Sequence, residues 1–164
     1  MITDQPYFFD RKTEDIKNIL KKQGNKTCKK ALQEKALLAA VKKFDFGYAI
    51  LKNKAAAGNK VNNINDKYLL AAYILFRIDY FNNEPCIYVE LICSHKNYKG
   101  ENYGKMLLDL CIEYGKNNEI FYVQLHSLNE IKLLEWYMAN EFSIVAPIKV
   151  KDEIKVYLME RYIK

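Results

Sequence analysis

Tyr98-Lys99-Gly100-Glu101-Asn102-Tyr103-Gly104-Lys105-Met106-Leu107-Leu108 joins an apolar strand, Ile87 to Ser94, to an amphipathic helix. A basic residue and closely spaced glycines follow the strand at once. Met106, Leu107, Leu108, Leu110 and Cys111 then recur at helical spacing, so the loop aims the unpaired N–H groups of a helix N-terminus outward, where an anion can meet them. A nucleotide P-loop would require Gly-x-x-x-x-Gly-Lys-Ser/Thr, but Gly100 stands four residues before Gly104 and Met106 takes the hydroxyl position. The Gly-x-Gly-x-x-Gly dinucleotide fingerprint is absent as well. The plainest alternative is a turn glycine and a packing glycine at a strand–helix junction.

Outward from this loop the chain alternates irregularly. Upstream, Tyr68 to Phe81 is apolar throughout and reads as a long central strand, turned by Asn82-Asn83-Glu84-Pro85 into the strand Cys86 to Ser94. Asn53 to Lys67, rich in Ala, Gly, Asn and Lys, reads as a long hairpin loop. Before it, Phe46 to Leu51 is a strand, Thr27 to Lys43 an amphipathic helix, and Thr13 to Gln23 a shorter helix closed by Gly24. A short strand is expected at Tyr7 to Phe9. Downstream, the helix Asn102 to Lys116 is followed by the strand Ile120 to His126 and by the helix Asn129 to Asn140, with Asn129 as N-cap. Phe142 to Val150 and Ile154 to Tyr162 close the chain as an antiparallel pair. The order predicts a mixed α/β domain with a mostly antiparallel sheet of about six to seven strands and about four helices.

Composition frames this reading. A chain of 164 residues, half of them hydrophobic, is most simply one domain over residues 1–164 that buries a core without staples. The four cysteines, Cys28, Cys86, Cys93 and Cys111, show no Cys-x-x-Cys spacing, so buried reduced thiols are expected and disulfides or a metal site are not. Met1 to Asp10 lacks a signal pattern, and no apolar run approaches a membrane span, so a cytoplasmic location without membrane attachment is expected. The net charge of +6 is spread in short doublets such as Lys21-Lys22, interleaved with Asp and Glu. A solvated surface explains it better than a nucleic-acid-binding face.

The loop and its flanks resemble the GNAT superfamily of acetyl-CoA-dependent N-acetyltransferases. The family motif, Arg/Gln-x-x-Gly-x-Gly/Ala, follows the fourth strand and holds the CoA pyrophosphate on backbone amides. Its six positions are here Lys99, Gly100, Glu101, Asn102, Tyr103 and Gly104. Lys99 keeps positive charge without a planar fork, and Asn102 replaces the central glycine with the residue that best tolerates positive φ. Glu90 to Gly100 is similar to the family's fourth strand and its exit turn. Trp136-Tyr137-Met138-Ala139-Asn140-Glu141-Phe142 is similar to the aromatic-Tyr-x-x-x-Gly-Phe signature, with Glu141 in the glycine place. The order of elements also matches.

The resemblance implies acetyl transfer from acetyl-CoA to a primary amine by direct attack in a ternary complex, with no metal. It places backbone groups of Ile92, Cys93 and Ser94 at the acetyl carbonyl and pantetheine arm. Lys99, Gly100, Glu101, Asn102, Tyr103, Gly104 and Lys105 fall at the phosphates. Tyr137 matches the tyrosine near the CoA sulfur and is the candidate general acid. Glu90, a carboxylate inside an apolar strand, is the candidate general base, directly or through water, with a solvent-facing strand glutamate as the plain alternative. His126 and His95 are further candidates near the acceptor, and neither has metal-ligand spacing. The acceptor is expected to be a small-molecule or protein amine, and apolar strands near a sheet edge favour a homodimer. A GNAT-fold CoA-binding or regulatory module with impaired catalysis is the alternative, motivated by Asn102 and Glu141.

Overall fold

The computed structural model describes residues 6–27, 31–53, 68–151 and 154–163. Among them are eight strands and four α-helices, in the order β1 (Pro6–Asp10), α1 (Glu14–Thr27), α2 (Ala31–Lys43), β2 (Phe46–Asn53), β3 (Tyr68–Phe81), β4 (Glu84–Ser94), a 3-10 segment (Lys96–Glu101), α3 (Tyr103–Asn117), β5 (Tyr122–Leu128), α4 (Ile131–Ala139), β6 (Ser143–Ile144), β7 (Lys149–Lys151) and β8 (Ile154–Tyr162). The hydrogen-bonded order is β1-β2-β3-β4-β5-β8-β6, with β7 also on β8. The β4–β5 pair is parallel, whereas β1–β2, β2–β3 and the pairs made by β8 are antiparallel. The mixed α/β reading therefore holds. No helix among the described residues is long and apolar enough to cross a membrane.

The chain divides into two compact units, Met1–Arg77 with Glu90–Cys111, and Ile78–Val89 with Ile112–Lys164. In the first, β1, β2 and β3 form an antiparallel set whose core joins Phe9, Ile16, Ile19, Leu20, Leu37, Phe44, Ala49, Leu70, Tyr73 and Leu75. From Leu70 to Phe76 every side chain of β3 is fully buried, which is why its sequence is continuously apolar and not alternating. Gln23, also buried, bonds this strand: its amide nitrogen donates to the Tyr68 carbonyl and its oxygen accepts from Leu70 N–H, both at 2.9 Å. The β2–β3 register shifts between Ile50, opposite Ala72, and Leu51, opposite Leu70, leaving Ala71 as an extra residue. Helix α1 runs past Gly24 to Thr27, against the sequence expectation. A Cβ at Gly24 would lie 2.6 Å from Leu37 Cδ2, so this glycine permits close packing between α1 and α2 and is not a stop.

In the second unit, Asn82 and Asn83 take positive φ (51° and 64°), forming the tight turn that joins β3 to β4. Tyr122 to Leu128 pairs residue by residue with Tyr162 to Val156. Two sequence expectations are corrected in this unit. The strand read over Phe142 to Val150 is two short ones, β6 and β7, because Pro147 lies between them and has no N–H to give a ladder. Helix α4 begins at Ile131, two residues later than the expected Asn129, with Glu130 as N-cap and no side-chain cap bond, so Asn129 does not cap it. The expected loop over 53–67 lies outside the described residues except for Asn53, which ends β2.

Candidate functional site

In the first unit, β4 leads into the loop through a fixed corner. The carbonyl of the extra residue Ala71 accepts from His95 N–H at 2.7 Å, and His95 Nδ1 accepts from Asn97 N–H at 3.1 Å, capping the 3-10 segment. The segment kinks at Tyr98 (φ −120°, ψ 17°) and ends at Asn102, which is left-handed at φ 59°, ψ 29°. The Asn102 carbonyl then accepts the first helical bond, from Met106 N–H at 3.2 Å. Gly104 and Lys105 accordingly lie in the first turn of α3, where amides have no carbonyl four residues back within the helix. Around them the backbone is open: Asn97, Gly100, Glu101 and Asn102 are exposed, and a Cβ at Gly100 would meet nothing within 4 Å. Tyr103 is the loop's buried anchor, 3% exposed.

Glu90 belongs to the same unit and is half-buried on β4, where its Oε1 accepts from Arg77 Nε at 2.5 Å. Sequence reading missed Arg77, because the bond links β3 to β4 and no local spacing carries it. Ile92, Cys93 and Ser94 end β4. The expectation of four reduced thiols fails at Cys93, whose sulfur is in a disulfide, while Cys86 and Cys111 are free and buried. Disulfide pairing follows tertiary proximity and not cysteine spacing. The expectation for Cys28 lies outside the described residues, and the side chain of Lys99 is likewise outside them. Lys105 Nζ is 2.9 Å from Asp109 Oδ2, a surface i,i+4 pair, so its contribution at the loop is its backbone amide.

The second unit holds Tyr137. It is 6% exposed, with Trp136 and Phe142 ring centroids at 5.1 and 5.8 Å. Burial pushes its phenol well above the ordinary tyrosine range. Its hydroxyl has no hydrogen-bond partner among the described residues, unusual for a tyrosine this deeply placed. The helix end behind it is a Schellman turn: Phe142 N–H donates to the Tyr137 carbonyl and Glu141 N–H to that of Met138, both at 3.0 Å. Glu141 sits at the left-handed position, φ 69°, where Arg161 Nη2 meets its carboxylate at 2.7 Å. Also in this unit, Tyr88 Oη and His126 Nδ1 are hydrogen-bonded at 2.6 Å, a pair able to pass a proton. Tyr88 carried no sequence signal beyond being one of thirteen tyrosines. A half-open cavity of about 200 Å³ lined by Phe81, Glu84, Cys86, Tyr122, Gln124 and Glu160 contains none of the sequence-predicted residues, so it is not taken as their site.

The fold is similar to that of a GNAT-family acetyltransferase from Desulfovibrio desulfuricans described as putative (TM-score 0.73, 9% identity, covering 98% of this chain and 100% of that one). It is similar also to Arabidopsis thaliana NAA60 in complex with acetyl-CoA (0.68, 12%, 97% and 100%). A third likeness is to the ribosomal-protein-S18-alanine N-acetyltransferase of Escherichia coli (0.66, 12%, 98% and 95%). No curated protein sequence matches the chain. The sequence profile of the acetyltransferase (GNAT) family matches residues 21–137, and the chain belongs to that family.

Proposed function

We propose that the protein is an acetyl-CoA-dependent N-acetyltransferase acting on a primary amine of a small molecule or a protein by direct attack in a ternary complex. The observation that carries this reading is Asn102: in the position of the motif's central glycine it takes the left-handed conformation, φ 59°, which lets the loop turn its amides outward into α3. Backbone N–H groups from Gly100 to Lys105 form the pyrophosphate cradle, with Lys99 adding charge. Backbone dipoles of Ile92, Cys93 and Ser94 orient the acetyl carbonyl and polarise it. Acetyl-CoA supplies the activated thioester carbonyl.

The chain's side chains handle two protons. Glu90, with one carboxylate oxygen already held by Arg77, takes the proton released by the amine, directly or through water. Tyr137 gives its phenolic proton to the departing thiolate. The raised affinity of that phenol for its proton keeps it in the donor form across neutral pH, and its hydroxyl, without a hydrogen-bond partner among the described residues, is suited to bond the sulfur. The reading of an impaired module would rest on Asn102 and Glu141. Both adopt the backbone conformation a glycine would, so neither supports it.

Calorimetry with acetyl-CoA tests the assignment, and saturable binding is the expected result. Absence of binding at micromolar protein would overturn it. In an acceptor panel followed by thiol release, Tyr137→Phe is expected to lower kcat about a hundredfold, in the usual range for a lost general acid, with little change in cofactor affinity. An unchanged kcat removes Tyr137 from the acid role.

A further inference from the structure

Besides the Ala71–His95 bond and the buried Tyr103, the cofactor loop meets a side chain from β2. Lys52 Nζ lies 4.8 Å from the Tyr98 ring centroid and 5.3 Å from that of Tyr103. Tyr98 is the residue before Lys99, and Tyr103 the one after Asn102. One ammonium therefore faces an aromatic ring at each end of the Lys99-Gly100-Glu101-Asn102 stretch. The two rings are 6.2 Å apart, and the His95 ring stands 5.8 Å from that of Tyr98. Lys52 itself projects from a rigid element, since Ala49 and Ile50 of the same strand are fully buried.

We propose that Lys52 is a positioning residue for the cofactor loop, fixing the separation of Tyr98 and Tyr103 through cation–π contacts so that the intervening amides are held ready for the pyrophosphate. The proposal rests on the functional reading above. The physical reason is preorganisation: an exposed glycine-containing loop loses conformational freedom on binding an anion, and a loop already held loses less. A partly desolvated lysine–tyrosine contact is worth about 0.5–2 kcal/mol, which converts to a weakening of about two- to thirtyfold when it is removed. The interaction runs through the rings. A substitution at Tyr98 should therefore mimic one at Lys52 even though the lysine charge remains.

The test is calorimetric binding of CoA to the full chain. Lys52→Met is expected to weaken CoA about two- to thirtyfold, Lys52→Arg to restore it, and Tyr98→Phe to leave it unchanged because the ring survives. Tyr98→Leu should weaken CoA like Lys52→Met, and the double variant should lose no more than either single one. Pantetheine, which lacks the pyrophosphate, should bind the wild type and Lys52→Met alike. Amide resonances of Gly100 and Gly104 should shift in ligand-free Lys52→Met, which also reports that the variant is folded. Wild-type protein that fails to bind CoA sinks the functional reading itself. Wild-type binding that Lys52→Met leaves intact overturns this proposal alone, as does a double variant whose losses add, since Lys52 would then act as a simple charge.

Discussion

Of the five non-glycine residues at positive φ among the described residues, two, Asn102 and Glu141, occupy glycine places of the family signatures. Left-handed backbone costs an ordinary residue about 1–2 kcal/mol, and asparagine less because its short amide bonds locally. Asn102→Gly is therefore expected to hold acetyl-CoA within about twofold of wild type, whereas Asn102→Val, β-branched and at φ 59°, should weaken it about tenfold by distorting the turn. Calorimetry on the two variants checks both. Glu141 has no such local relief, and its neighbourhood supplies it: Arg161 Nη2 meets the carboxylate, and Arg161 Nη1 donates to the Asn140 carbonyl at 3.1 Å. The same arginine thus ties down the end of α4 twice. From sequence, the two departures looked like threats to the motif. Their backbone angles, φ 59° and 69°, are ones a glycine takes without strain.

Individual elements were legible where one physical signal dominated. β3 matches its sequence-read bounds at both ends, Tyr68 and Phe81, because an unbroken apolar run flanked by polar segments has one reading. The loop after β4 was legible because a glycine-containing turn and a helical apolar pattern meet there. What escaped was carried by contacts between elements: the Arg77–Glu90 bond, the Ala71 bulge, the Tyr88–His126 pair, the Lys52 contacts and the Cys93 disulfide. Gly24 shows how a correct local rule fails. Glycine commonly ends a helix, yet here its missing side chain admits Leu37, itself 1% exposed. Gly24→Val is expected to destabilise the fold by about 1–3 kcal/mol through overpacking, seen as a lower urea midpoint. A variant as stable as wild type would mean that α1 and α2 separate easily.

For the molecule as a whole, alkaline pH is the condition that burial makes costly. The phenols of Tyr73 and Tyr137 and the thiol of Cys111 are pushed well up by desolvation alone. In the unfolded chain they ionise near their ordinary values, about 8.5 for the thiol and about 10 for the phenols. Above those values the unfolded state holds fewer protons than the folded one, so stability falls as pH rises, and it is fully present below about pH 8. Urea midpoints should drop steadily above about pH 9, with a shallower decline in Tyr137→Phe. A flat profile would mean that solvent reaches these groups in the folded protein.

The run of hidden side chains from Leu70 to Phe76 gives the chain an internal clock. In deuterated solvent the amide of Gly100, an exposed residue of the short 3-10 segment, should exchange early. The amides of Leu70 to Phe76 should exchange only when the ladder opens completely, so their slow isotope uptake reads the global unfolding free energy without denaturant.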